Sequence, residues 1–369
     1  MSSAPRRMTG EADVKPLVLL LSAALGLILS SVPADAQDQN PQAKNGFRVR
    51  VEALGAWTLW NDSRSELVNS AYQLRQGEQT PIVNIYNAVS GEKRSIDVLK
   101  EFPNARNTYV AGLASGPKGS VLVVCEMNSD DHGFTFKGDH LLVFDNHSTL
   151  IMNLTAPDYD VGAVAMDKQG NVYLVGTHDS ERSSDESYPL LVKYDSRGKI
   201  RLKTLSRSLF ANIDDPIGDG IGHPRSGGTR VAVSEKGIHV YLAPAGEMVV
   251  LNQSGEIQKR VNVASKLSEF AKTKGYKDFY VDGDEFSPSG DLWFVGNLAE
   301  LSNSSSGLLP SRNFVVRLTP EGELQVPYAH VGEEPPGYYL PHLVGFTQSN
   351  EPVASVAERD SILVQKSPY

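Results

Sequence analysis

A single cysteine, Cys125, stands among 369 residues. That excludes an internal disulfide and any zinc site built from cysteines. Positive charge is also short: 35 Lys and Arg face 44 Asp and Glu, a net of −9, which argues against non-specific binding to nucleic acid. The chain has no G-x-S-x-G elbow, no H-E-x-x-H and no C-x-x-C, so no strong nucleophile or zinc-hydrolase motif is present. Glycine-rich phosphate loops opening onto a helix are missing too, which removes the usual route to nucleotide binding. With 40% hydrophobic and 21% charged residues, the composition is that of a globular protein and not of a disordered one.

Long apolar runs are equally scarce. The clearest spans residues 17–29, LVLLLSAALGLIL, and is shorter than the ~20 residues a membrane-spanning helix needs. Arg6, Arg7 and Lys15 precede it, and SVPADA, with Ala34 and Ala36, follows. A charged start, a short apolar core and a small-residue site predict a secretory signal peptide cleaved after Ala36. The chain then divides into a signal peptide (1–36), a polar linker (37–46) and one domain (47–369). The expected product is secreted or periplasmic, has no membrane span, and is a monomer. Cleavage removes three basic and three acidic groups, so the mature chain keeps its net charge.

What is abundant is turn chemistry: Gly 32 and Pro 21 favour short strands over long helices. A polar turn closing on glycine, followed by alternating apolar residues, recurs in ASGPKGSVLVVC (114–125), AMDKQGNVYLVG (165–176), AVSEKGIHVYLA (232–243) and EFSPSGDLWFVG (285–296). A second hairpin unit follows each: LLVFDNHSTLIMNL (141–154), LLVKYDSRGKIRLKTL (190–205), MVVLNQSGEIQKRV (248–261) and FVVRLTPEGELQVPY (314–328). PIVNIYNAVSGEKRSIDVL (81–99) fits the same template. Two hairpins per interval make four strands, and four-stranded units repeated along a chain predict an all-β β-propeller.

Six blades are expected, near 56–103, 104–157, 158–210, 225–264, 275–330 and 338–369. The last ends after three strands, so the strand at 47–54 is expected to complete it and remove the open edge. Five blades stay open, because the first is weakly marked. A pair of β-sandwiches would explain strands and turns but not the ordered alternation of two hairpin types. VGAVAMDKQGNVYLVG and LLVKYDSRGKI resemble the NHL and TolB-like six-bladed propellers, a resemblance that covers roughly 104–330 and implies the fold rather than an activity. The single cysteine lies in VLVVCEM and reads as a buried strand residue; Trp57, Trp60 and Trp293 read as anchors between blades.

Loop lengths single out one face. In a meander the turns joining the first to the second strand and the third to the fourth share one end, and these are short: DKQG, DSRG, NQSG, TPEG. The other end carries 126–140, 177–189, 210–228, 265–278 (expected to form a short helix) and 297–313. Insertions confined to one face of a repeat protein predict its binding face.

The candidate ligand-binding residues there are Arg106, His178, Asp215, His223, Arg230, Asp282, Asp284 and His342. DDPIGDGIG (214–222) is rich in oxygen ligands suited to Ca2+, yet it lacks the spacing and terminal Glu of an EF-hand loop and reads first as a solvated turn in which Asp caps backbone donors. VDGDEFSPSGDLWFVGN (281–297) resembles the D-G…G-x-L-W-V segment of the senescence-marker and gluconolactonase propellers. That resemblance implies Asp282 as a ligand to a divalent metal such as Ca2+. Thr229 and Arg230 stand where an Asn ligand is expected, and no E-G-P-x-W signature occurs. The expected function is therefore recognition of a protein, peptide or small ligand on the long-loop face. The alternative is a metal-assisted hydrolase, lactonase or lyase.

Overall fold

The computed structural model describes residues 46–50, 57–75, 78–102, 106–128, 139–156, 159–178, 187–211, 213, 228–299, 312–334, 340–358 and 361–369. These residues form six four-stranded antiparallel sheets. Blade 1 holds β2 (Thr58–Asn61), β3 (Glu66–Arg75), β4 (Glu78–Asn87) and β5 (Lys93–Asp97). Blade 2 holds β6 (Arg106–Ser115), β7 (Val121–Asn128), β8 (Asp139–Phe144) and β9 (Leu150–Ala156). Blade 3 holds β10 (Tyr159–Met166), β11 (Val172–His178), β12 (Pro189–Tyr194) and β13 (Ile200–Ser206). Blade 4 holds β14 (Arg230–Ser234), β15 (Gly237–Leu242), β16 (Glu247–Leu251) and β17 (Ile257–Asn262). Blade 5 holds β18 (Asp278–Phe286), β19 (Leu292–Ala299), β20 (Arg312–Leu318) and β21 (Leu324–Gln325). Blade 6 holds β22 (His342–Phe346), β23 (Pro352–Ala357) and β24 (Ser361–Lys366), completed by β1 (Gly46–Arg50).

The first strands of successive blades contact one another all the way round, from β2 through β6, β10, β14, β18 and β22 back to β2. This closed ring is a six-bladed β-propeller, and the five-bladed alternative is removed. β1 pairs antiparallel with β24, Phe47 opposite Val364 and Val49 opposite Ile362, so the N-terminal strand does fill the outer place of the last blade. Residues 51–54 of the expected closing strand lie outside the described set.

Each of the six apolar clusters is a seam between two neighbouring blades. Both faces of each sheet are therefore covered, which is why the middle strands read as apolar runs instead of alternating. Cys125 lies fully buried in the seam of blades 1 and 2, and that burial pushes its thiol pKa up. Trp60 sits in the seam of blades 6 and 1 and Trp293 in that of blades 5 and 6, with Trp57 against the first seam. A buried side chain of this size contributes about 1.5–3 kcal/mol.

The short turns share one construction. In Asp145, Asp167, Asp195 and Asn252 the backbone N–H donates to the carbonyl four residues on. The side-chain oxygen of the same residue accepts the N–H groups two and four residues on, at 2.8–3.0 Å. The fourth residue is left-handed: Ser148, Gly170, Gly198 and Gly255, with φ between 62° and 86°. A side chain that mimics a turn, followed by a residue tolerant of positive φ, is what the D-x-x-G pattern encodes. The expected helix is α1 (Val263–Thr273), capped by Asn262, whose side chain accepts the Ser265 N–H at 2.7 Å. Among the described residues no helix is long and apolar enough to cross a membrane.

Candidate functional site

Every inner strand begins on the long-loop face, so its first residues surround the channel entry. Three of the long loops there connect β7 to β8, β11 to β12 and β19 to β20. A fourth, between β13 and β14, holds 214–227. Their central parts, with Asp215 and His223, lie outside the described residues.

Four inner strands carry a β-bulge near that entry. The register skips Ala111 in β6, Gly162 in β10, Asp282 in β18 and Val344 in β22, whereas β2 and β14 pair without a break. A bulge adds an unpaired residue and re-aims its neighbours. Solvent-exposed residues of these strands include Tyr109, Asp160, Asp282 and His342, one from each of four blades, with Arg230 of blade 4 partly exposed among them.

Asp282 is itself the bulged residue. Asn297 Nδ2 donates to its Oδ2 at 2.5 Å. Burial raises the Asp282 carboxyl pKa, while His342 and the Asn297 bond pull it down. His342 opens the inner strand of the next blade, so Asp282 and His342 face one neighbourhood from two blades.

Arg230 and Asp284 form a different pair. Arg230 Nε donates to the Asp284 carbonyl at 3.0 Å, Nη1 to the Thr229 carbonyl at 3.1 Å, and Nη2 to Asp284 Oδ1 at 3.3 Å. The Gly228 N–H donates to the same Oδ1 at 2.9 Å. A Cβ on Gly228 would stand 2.6 Å from Arg230 Nη1, so glycine is what lets the guanidinium lie flat on the chain. Asp284 is 3% exposed. Burial raises its pKa, against the pull of Arg230 and Gly228. For Arg230, burial disfavours the charge, but Asp284 and Glu285 outweigh it and the pKa rises. Arg230 and Asp284 are thus engaged with each other, and the clamp ties the root of the 211–229 connection to the wall of blade 5.

A third group lies between blades 2 and 3. Buried Asp139 accepts the Val161 N–H at 2.8 Å through Oδ2. Glu126 stands opposite Asp139 across the β7–β8 ladder, and Asp160 precedes Val161. Glu126 has its pKa raised by burial and then by Asp160.

Of the residues expected from sequence, Arg230 and His342 open the inner strands β14 and β22, whereas Asp282 and Asp284 lie in the middle and second half of β18. Arg106 opens β6, and His178 ends β11 opposite Tyr159; their side chains are outside the described set. Asp282 and Asp284 serve different partners despite their spacing. No three His, Cys, Asp or Glu side chains gather as a metal centre among the described residues, and Asp282 has Asn297 and His342 beside it. Sequence reasoning missed Tyr109, Asp139, Asp160, Glu126 and Asn297. The usable signal was the broken alternation of VDGDEF, which marks the bulge.

No protein-family model matches the chain, and no curated protein matches it by sequence. Among solved structures it is similar to the Dos1 propeller, with 12% identity, 87% of this chain and 94% of that chain covered, and a TM-score of 0.44. It is also similar to a member of the DUF4221 family from Bacteroides vulgatus (10%, 88% and 96%, 0.42) and to a luciferin-regenerating enzyme (12%, 74% and 95%, 0.35). The assignment of the chain to the six-bladed propellers rests on its own strand pairings.

Proposed function

We propose that this chain is an exported propeller of the NHL and TolB-like kind that recognises a ligand on its long-loop face. The ligand is a protein, peptide or small molecule that presents a cationic group to the channel entry. One observation carries the reading: exposed Asp160 and Asp282 stand at the entry on bulged inner strands, where Arg230 is already neutralised by Asp284. Carboxylates on the inner strands around the channel entry attract cations and repel anions, in keeping with the net charge of −9.

The test is fluorescence anisotropy with a lysine-rich and a glutamate-rich decapeptide as probes. The mature chain (37–369) is compared with the double variant Asp160→Asn, Asp282→Asn. Preference for the basic probe that weakens at least tenfold in the variant supports the reading. Equal binding of both probes, or no effect of the variant, overturns it.

A second reading, a metal-assisted hydrolase, lactonase or lyase, draws on Asp282 beside Asn297 and His342. It requires further ligands such as Asp215 and His223. Melting of metal-stripped protein with Ca2+, Mg2+, Mn2+ or Zn2+ added singly tests it. An ion at about 100 times its Kd stabilises the fold by about 2.7 kcal/mol, and that shift must vanish in Asp282→Ala.

A further inference from the structure

Positive charge is scarce in this chain, yet residues 193–207, KYDSRGKIRLKTLSR, hold six basic side chains and one acid, Asp195. The structure puts them on the outer rim of blade 3. Arg197 and Lys199 lie in the turn between β12 and β13, while Arg201 and Lys203 lie on β13, an end strand of its sheet. All four are exposed. Asp195 is already engaged: Oδ1 accepts the backbone N–H groups of Arg197 and Lys199, and Oδ2 accepts Arg201 Nε at 2.7 Å. Among the described residues no carboxylate pairs with the side chain of Arg197, Lys199 or Lys203. Charged residues on an end strand also guard against edge-to-edge pairing, but that role does not account for this group. β9, the end strand of blade 2, has the same length and carries no charged residue. On other end strands Arg48 pairs with Glu358, Arg260 pairs with Glu247, and Lys259 Nζ donates to the Glu321 carbonyl at 2.6 Å.

The surface beside these cations is apolar. Ile200 is 43% exposed. Lys203 stands opposite Val192, so it lies on the side of the sheet that packs against blade 2, where Met152 and Leu154 of β9 are only partly covered. We infer that this rim of blade 3 docks a short, extended acidic segment of a partner protein, with apolar residues between its acids. β13 is itself extended, so its side chains recur at the spacing of those in an extended peptide. Charge selects the length of the partner. A long polyanion or an anionic bilayer meets the field of the whole molecule, whose net charge is −9. A short segment held within the Debye length, about 8 Å at physiological salt, meets the local cations instead. The β12–β13 turn belongs to the short-turn face, so this surface is separate from the channel entry on the long-loop face.

Fluorescence anisotropy on the mature chain tests this with a labelled decapeptide of alternating Glu and Val, beside a decapeptide of Glu alone. The expected result is saturable binding of the alternating peptide, at least about tenfold tighter than that of the all-Glu peptide. The double variant Lys199→Glu, Lys203→Glu should weaken it by about tenfold or more. Lys272→Glu, Lys277→Glu makes the same change in net charge at exposed positions elsewhere and should shift the affinity by no more than about twofold. All four substituted positions are exposed, so the variants keep the fold. The lysine-rich probe of the channel entry should bind the Lys199→Glu, Lys203→Glu variant no more weakly than wild type, so the two readings fail separately. Absence of binding, equal binding of the all-Glu peptide, or binding that survives Lys199→Glu, Lys203→Glu overturns the inference. Tighter binding of heparin or of phosphatidylserine vesicles than of the alternating peptide overturns it in favour of a polyanion or a membrane.

Discussion

Asp62 of blade 1 accepts the backbone N–H of Gln348 of blade 6 at 2.9 Å, across the join where the ring closes. The same carboxylate accepts the Trp60 indole N–H at 3.0 Å and Lys366 Nζ at 3.3 Å. Burial works against the charged form, but these three bonds outweigh it and lower the Asp62 pKa. Its contribution is therefore present above the ordinary aspartate pKa and lost as pH falls below it. Asp62→Ala should destabilise the ring by about 1–3 kcal/mol, the cost of orphaning a partly buried donor. Urea unfolding at pH 7 reads the loss, and the gap between wild type and variant should shrink toward pH 3.

His239 makes a stronger pH prediction. It is fully buried between blades 4 and 5, with Nε2 2.7 Å from Ser234 Oγ and its ring 5.9 Å from that of Phe286. Gly290 of blade 5 packs directly on the imidazole. Burial is the main cause that lowers its pKa to about 4, with Lys236 adding to it and Glu321 opposing. Between pH 6.5 and 4 the unfolded chain takes up a proton that the folded chain refuses, so stability falls as pH drops. From pH 7.5 to 4.5 wild type should lose about 2–3 kcal/mol more than His239→Gln, measured by urea unfolding at both pH values.

The ring was legible because its turns repeat. Asp167, Asp195 and Asn252 each start a turn whose fourth residue is glycine, and that local chemistry survives whatever the strands pack against. The closing strand was legible from the missing fourth strand of the last blade. The entry was only half legible. His342 opens its strand and Asp282 lies midway along β18, and whether Asp284 points to the channel or into the seam depends on the bulge at Asp282. The broken alternation of VDGDEF marks such a slip, but which way each side chain then points is fixed only by the pairing with the partner strand. Asp139 was invisible for a related reason: its burial comes from blade 3, a neighbour that the local sequence DHLLVF does not specify.

Turn geometry gives a paired prediction. Gly198 has φ of 78°, and a Cβ there would lie 2.4 Å from Leu154 Cδ2. Gly198→Ala combines strain with a clash and should cost about 1–2 kcal/mol. Ser148 holds the same turn position at φ 62°, so Ser148→Gly should be neutral or stabilising by up to about 1 kcal/mol. Thermal melts of the two variants must move in opposite senses, or one must stay still while Gly198→Ala drops.

Export has a direct readout. If residues 1–36 direct secretion, intact-mass measurement of the protein recovered outside the cytoplasm should give a chain starting at Gln37. Replacing Ala36 by a bulky residue should leave the precursor uncleaved. Recovery of full-length wild-type protein from the cytosol alone would remove the exported reading.

The Arg230–Asp284 clamp should show strong non-additivity. Asp284 is 3% exposed and its Oδ2 has no partner among the described residues, so its charge depends on Arg230 and the Gly228 N–H. Arg230→Ala leaves that carboxylate buried and unpaired, at a cost of about 3–5 kcal/mol. Asp284→Asn keeps the acceptor for Gly228 and removes the buried charge, so it should cost less. In the double variant neither an unpaired carboxylate nor an unpaired guanidinium remains, and the loss should fall well below the sum of the two single losses. A coupling of about 1–3 kcal/mol in a urea double-mutant cycle is expected. Strict additivity would mean that Arg230 acts through solvent and not through Asp284, and would return the guanidinium to the set of groups free to meet a ligand.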